Sequence, residues 1–509
     1  LYFPCGAFHL AEENRLLRND LNTTQSFTRM SPAQGGDAVT LLDPSFGASA
    51  LDYDRDGDLD IFTSATRIFG STTDQPNRLL RNDGDLHFTD VSQMANIIEL
   101  GNYKHCGVGD LDNDGWPEIG VGNMSGMNRL YHNETDGTFR EVASPVGLGS
   151  PGNNFGFVFE DFDNDGWLDV LLPKYIHMVT HGGTQIFLNN QDGTFRDISS
   201  ATGLGRHEDM GHNVGDLNAD GYSDVYIGAG HPTSTSVDLL YLLRPNGGNG
   251  LRALDISVYS GIRSAGAGRN HGTPFGDIND DGFLDIWAVN GGPSTQPGSI
   301  QKAYLWMSEG NQNEWLKVDL RGVISNRDAV GARLMVMLPG GREVHRSVTA
   351  GRGFTNTDAH VTHFGLGETA RAAWLTLRWP SGYEQQLLNP PLSETTRVVE
   401  SVIWTDDVAR IGQSFTVQAC GPAGDSIQLF MGLTPDERLR PDLGGFLRIA
   451  QPLDIMPTRN LDAAGRFQGQ IPLPNNPGLV GQTLYVQAAI WNGSRAAGIL
   501  SNRLDLLIQ

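Results

Sequence analysis

Short apolar, β-branched or small-residue runs flank polar, glycine-containing turns through roughly the first three hundred residues. Gly107-Val-Gly109 and Phe157-Val-Phe159 precede one kind of turn; Leu59-Asp-Ile-Phe-Thr63, Leu168-Asp-Val-Leu-Leu172 and Asp224-Val-Tyr-Ile227 follow it. A second phrase comes next: Asn77 to Ser92, Asn128 to Val142 and Ile186 to Ile198 each place an Asp-Gly or related turn between two alternating segments. The order strand, loop, strand, strand, turn, strand predicts a four-stranded antiparallel sheet of about fifty residues, the size of a propeller blade. Leu1-Tyr2-Phe3-Pro4, Asn14 to Asn19 and Phe27 to Met30 match the second half of such a unit. The expected fold is therefore all-β, a six- or seven-bladed β-propeller whose first blade is truncated before residue 1.

The loop between the first two strands of each unit repeats a nine-residue phrase: Asp, any, Asp or Asn, any, Asp, Gly, two more, then Asp or Glu. It occurs five times, with starts 58, 51, 55 and 61 residues apart. The predicted ligands are Asp52, Asp54, Asp56, Asp58 and Asp60 in loop one; Asp110, Asp112, Asp114, Trp116 and Glu118 in loop two; and Asp161, Asp163, Asp165, Trp167 and Asp169 in loop three. Loop four supplies Asp216, Asn218, Asp220, Tyr222 and Asp224, and loop five Asp277, Asn279, Asp281, Phe283 and Asp285. Carboxylates at alternate positions of a tight loop converge on one point, and Gly at position 6 permits the turn. Positions 1, 3, 5 and 9 offer side-chain oxygens and position 7 a backbone carbonyl, a set suited to calcium, about five ions in all. Magnesium fits less well, because it keeps its waters and demands octahedral geometry. An EF-hand is excluded: position 12 is Thr63, Val121, Leu172, Ile227 or Ala288, none of which can be the bidentate Glu, and strands replace its helices.

Beyond Trp315 the phrase stops and other strings follow: Ser325-Asn-Arg-Asp328, Gly331-Ala-Arg333, Gly351-Arg-Gly-Phe-Thr355, His363-Phe-Gly-Leu-Gly367 and Arg378-Trp-Pro-Ser-Gly382. The repeats resemble FG-GAP or VCBS repeats, as in integrin α heads. The second segment resembles the ASPIC/UnbV domain of the cartilage acidic protein-like family. The resemblance implies an extracellular, calcium-loaded propeller with a small β domain, of secreted or cell-surface location and bacterial source, in a group described by adhesion or matrix interaction. Residues 401–509 alternate again around Gly, Pro and Asn, as a small β-sandwich does. The expected domains are 1–315, a propeller; 316–400, the ASPIC/UnbV domain; and 401–509, a C-terminal sandwich.

The net charge of −23 argues against nucleic-acid partners, and ten positive charges from five calcium ions would bring it to about −13. No apolar run is long enough to span a membrane. Cys5, Cys106 and Cys420 are too few and too scattered for a disulfide framework. Asn22-Thr-Thr24, Asn123-Met-Ser125, Asn133-Glu-Thr135 and Asn492-Gly-Ser494 fit the glycosylation pattern, and Trp116, Trp167 and Trp287 read as blade-packing aromatics. Gly266-Ala-Gly268 lacks the strand-to-helix context of a nucleotide site.

The residues ahead of each loop start the innermost strands, at the channel mouth opposite the loops. His105, Asn154, His212, Arg269 and His271, with Asn153 and Asn270, form the candidate ligand site there. Two functions follow: a non-catalytic module that recognises an extracellular protein or glycan, or a propeller enzyme, a polysaccharide lyase or metal-dependent oxidoreductase, using those histidines.

Overall fold

The protein is described by a computed structural model, apart from residues 1, 4–11, 14, 21–25, 38–41, 69–70, 176–182, 205–208, 230–236, 248–249, 263–268, 292–301, 353–355, 370, 406–407, 423, 434, 441–444, 450–453, 456–457, 463–464 and 492–498. Cys5, Asn22 to Thr24, Gly266 to Gly268 and Asn492 to Ser494 lie outside the described residues. The chain divides into two compact units: residues 1–315 with 345–368, and residues 316–344 with 369–509.

The first unit is a run of antiparallel sheets in sequence order, as a propeller requires. The second sheet joins Ser45–Leu51, Asp60–Ala65, Arg78–Asn82 and Phe88–Asp90; the third Tyr103–Gly109, Glu118–Asn123, Arg129–Asn133 and Phe139–Glu141. The fourth runs from Val158–Glu160 through Asp169–Leu172 and Gln185–Asn189 to Phe195–Asp197, and the fifth from Asp209–Gly215 to Leu251–Asp255. In the sixth, Arg269–Gly272 and Phe275–Gly276 both pair with Asp285–Gly291, which pairs with Tyr304–Trp306. The first sheet holds Tyr2–Phe3, Arg15–Asn19 and Phe27–Arg29.

Successive side chains of a strand point to opposite faces, so the unbroken apolar and small runs bury both faces of the sheets, and the cores form between neighbours. Leu51, Phe62 and Leu79 of the second sheet meet Tyr103, Ile119 and Tyr131 of the third. Phe157 and Val170 pack on Leu111 and Leu130, and Val214, Val225 and Tyr241 on Val158, Leu171 and Ile186. Trp287 departs from the packing role read from sequence. It is 50% exposed, beside exposed Val289, Leu305 and Met307, because this face of the sixth sheet carries no neighbouring sheet among the described residues.

In the second unit, Arg333–Met337, Trp374–Arg378 and Glu384–Leu388 continue through Gln386 opposite Leu500 into Ile499–Leu507, Thr483–Trp491 and Ser426–Gly432, one sheet throughout. Phe415, Val417 and Ile471 of a second sheet pack on Leu429, Val486 and Ile490 of the first, a sandwich core. Cys106 and Cys420 are buried free thiols.

Candidate metal loops and the centre of the repeats

Each loop spans one register step. The residue before position 1 pairs with position 9: Leu51 with Asp60, Gly109 with Glu118, Glu160 with Asp169, Gly215 with Asp224 and Gly276 with Asp285. The glycine at position 6 takes φ between 86 and 101° in all five, which a side chain resists. Position 4 is also left-handed in every loop, including Arg55 (φ 59°) and Ala219 (φ 55°), where no glycine relieves the strain.

The carboxylates first organise the backbone. Position 1 accepts from the position 6 amide: Gly57 N to Asp52 at 3.2 Å, Gly115 N to Asp110 at 3.1 Å, Gly166 N to Asp161 at 2.8 Å, Gly221 N to Asp216 at 2.8 Å and Gly282 N to Asp277 at 2.7 Å. Position 5 accepts from the amide of position 7, as in Trp116 N to Asp114 and Trp167 N to Asp165, both 2.8 Å. Position 9 brackets the hairpin. Asp60 accepts from Tyr53 N (3.0 Å) and Asn82 N (2.8 Å), and Asp169 from Phe162 N (3.0 Å) and Asn189 N (2.9 Å).

Those asparagines are site residues that lie outside the nine-residue phrase. Asn133 Nδ2 donates to Tyr53 O at 2.9 Å and Asn189 Nδ2 to Leu111 O at 2.8 Å, tying each blade to the preceding loop. Their sequence signal is recurrence: Asn82, Asn133 and Asn189 stand at one register position of successive repeats. Asn123 and Asn133, both in glycosylation patterns, are buried turn and loop anchors.

Loops one, two and three fit a hard divalent cation. Ligand atoms of Asp52, Asp54 and Asp60, of Asp110, Asp112 and Asp114, and of Asp161, Asp163 and Asp169 lie within 4.8 Å of one another. The buried Asp52 Oδ1, Asp54 Oδ1 and Asp163 Oδ1 accept no hydrogen bond from the protein. Burial, then repulsion from neighbouring aspartates, pushes Asp52 up to about 7 and Asp163 to about 6. Asp60 and Asp161 rise to about 8, chiefly through burial. A divalent cation would reverse that balance by pairing the charges. Loop two adds an imidazole: His132 Nδ1 lies 3.2 Å from Glu118 and 3.6 Å from Asp112. Burial raises Glu118 to about 7 against that hydrogen bond.

Among the described residues, loops four and five form no such three-ligand group. In loop five, Asn279 Nδ2 donates to Asp281 at 2.8 Å. Loop four is crossed by two arginines. Arg346 Nη2 lies 3.2 Å from Asp216 Oδ2; Arg244 pairs with Asp220 and lies 3.6 Å from Asp224.

The FG-GAP-like repeat family matches residues 52–121, 110–172 and 175–227, and the ASPIC and UnbV family matches residues 322–403. The chain is an FG-GAP repeat protein with an ASPIC/UnbV domain. Its similar proteins include cartilage acidic protein 1 from Homo sapiens (25% identity; 67% of this chain, 51% of that one), from Mus musculus (25%; 67% and 53%) and from Xenopus tropicalis (27%; 57% and 44%). The chain thus spans about half the length of these relatives. A solved structure of activated Escherichia coli alpha-2-macroglobulin covers 91% of this chain and 40% of its own at 10% identity, with a TM-score of 0.16 that carries no fold information.

The ASPIC/UnbV phrases are structural. Buried Glu400 accepts from the amides of Val323, Ile324 and Ser325 at 2.8 to 2.9 Å, and from the hydroxyls of Ser325 (2.9 Å) and Ser381 (2.6 Å). The Ser-Asn-Arg-Asp and Trp-Pro-Ser-Gly strings thereby meet at one carboxylate. Asn326 exchanges both hydrogen bonds with Val330.

The candidate ligand residues sit among the innermost strands of the repeats. His105, Asn154, His212 and Asn270 are buried, not set on an open mouth, and His271 is partly exposed. His105 and His212 are close enough to interact; burial and then that neighbour push His105 down to about 3. Its Nε2 has no hydrogen-bond partner. Asn154 Nδ2 donates to Ser150 O and Gly152 O at 3.2 Å, and Asn153 is left-handed (φ 57°). Asn270 Nδ2 donates to Asp238 at 2.8 Å, while Arg269 is placed only by its backbone pairing with Gly291. Lys104, neighbour of His105 in sequence, donates to Thr66 Oγ1 at 2.6 Å, and burial lowers it to about 7.

The His345–Glu368 segment of the first unit contacts several of the blades. Ala350 bridges Ala50, Arg352 pairs with Glu160, Asn356 Nδ2 donates to His212 O at 2.7 Å, and Asp358 accepts from Asn213 Nδ2 (2.6 Å) and Phe275 N (2.8 Å).

Proposed function

We propose that this chain is a secreted, non-catalytic recognition module whose repeats are rigidified by calcium and present a surface to an extracellular protein or glycan. The observation that carries it is the set of buried carboxylate oxygens in loops one and three that meet no protein donor beside two further carboxylates. Such a group is stable at neutral pH with a divalent cation between its members. Asp58, Trp116 and Trp167 would add position 7 carbonyls. The similarity to cartilage acidic protein 1 supports an extracellular setting. The burial of His105, Asn154 and His212, the last of these held by Asn356, supports a structural role for them over a substrate-facing one, and so favours recognition over lyase or oxidoreductase chemistry.

The test is an array of matrix proteins and glycans probed with the chain in calcium and in chelator. A ligand retained in calcium and lost in chelator is the expected result. Turnover of a polysaccharide during the assay, or binding of equal strength in both conditions, would contradict this function.

A further inference from the structure

Loop four has the spacing of a cation loop but is completed by protein. Asp216 Oδ2 accepts from Gly221 N at 2.8 Å, Gly365 N at 3.1 Å and Arg346 Nη2 at 3.2 Å, and Oδ1 accepts from Asp220 N at 3.0 Å. Asp224 accepts from Leu217 N and Leu243 N at 3.1 and 3.2 Å and lies beside Arg244. Asp220 accepts from Tyr222 N at 3.0 Å and pairs with Arg244. The oxygens left without donors in loops one and three have no counterpart here.

Arg346 is built into this position. Its side chain is 3% exposed. It also donates to His345 O at 2.7 Å and Gly221 O at 3.3 Å, and its guanidinium lies 5.8 Å from the centre of the Phe364 ring. A Cβ on Gly365 would lie 2.2 Å from both Ala219 Cα and Asp216 Oδ2, so the segment's return strand also needs contact with this loop. A guanidinium keeps its charge at any physiological pH and presents a planar fork of donors to a carboxylate. Two of them bring the charge of one divalent ion. A cation with oxygen ligands at about 2.3–2.6 Å would have to displace both.

We infer that loop four takes no divalent cation, because Arg346 and Arg244 stand in its place, and that the ASPIC/UnbV segment supplies the charge that calcium supplies in loops one and three. This rests on the calcium reading of those two loops. It makes the docking of residues 345–368 on this blade independent of calcium, while neighbouring blades respond to it.

Equilibrium dialysis with radioactive calcium on the full chain and on Asp161→Asn and Asp216→Asn separates the possibilities. Asp161→Asn should lose about one equivalent of calcium and Asp216→Asn none. Loss of one equivalent in Asp216→Asn would overturn the inference. If the wild type binds no calcium, the reading of loops one and three fails while loop four remains as inferred. Should Asp216→Asn not fold, crystals of the wild type soaked in manganese give the same answer by anomalous scattering: peaks at loops one and three and none between Asp216 and Asp224 are expected, and a peak there would contradict it.

Discussion

At the residue scale, each loop position has a distinct task. Position 1 holds the turn through the glycine amide, position 5 fixes position 7, and position 9 brackets two strands. The raised aspartates set a pH dependence. A carboxyl whose folded pKa lies above its unfolded value contributes stability that is fully present below the unfolded pKa and lost as pH rises through the folded one. With Asp163 near 6, Asp52 near 7 and Asp161 near 8, chelator-treated protein should lose stability between about pH 4 and pH 8. Melting temperatures measured in chelator across that range should fall as pH rises. A flat or rising series would show that these carboxyls are ordinary in the metal-free fold. Gly365→Ala should cost about 2–3 kcal/mol, because the new methyl meets Ala219 and Asp216 in a packed backbone contact. Urea denaturation measures this, and an unchanged midpoint would mean that the segment shifts freely.

At the element scale, the ASPIC/UnbV strings act as one polar knot around Glu400. Glu400→Ala leaves three backbone amides and two hydroxyls without their acceptor, and should destabilise by about 3 kcal/mol. The midpoint of chemical unfolding gives the value, and a change below about 1 kcal/mol would reduce the knot to a surface feature.

The blade hairpins were legible from sequence because period-two alternation and a fixed Asp-Gly grammar act locally. Leu51 opposite Asp60 and Glu160 opposite Asp169 follow from them directly. Loop four was not legible in the same way. Its nine residues carry the cation grammar, while the groups that answer them, Arg244 and Arg346, come from another strand and from a segment 130 residues on. The burial of His212 was hidden for the same reason: Asn356, which donates to its carbonyl, lies 144 residues along the chain. Trp287 went the other way, since its alternation was right but the face it points to carries no neighbouring sheet among the described residues.

At the scale of the whole molecule, stability in the repeats is divided between apolar layers and charge. The layers between sheets are continuous from Leu51 to Ile286. The loops at the strand ends gather carboxylates that repel one another, a repulsion that a bound cation would relieve. Ligand bound only by the folded state adds stability by mass action, about 2.7 kcal/mol per site at a hundredfold excess over Kd. Two or three such loops should therefore move the melting temperature by about 10 °C or more. The most direct test is calorimetric melting of the full chain at neutral pH in millimolar calcium and in excess EDTA. A melting temperature lower by about 10 °C in EDTA and restored by added calcium is predicted; identical transitions in the two conditions would contradict a calcium-clamped propeller.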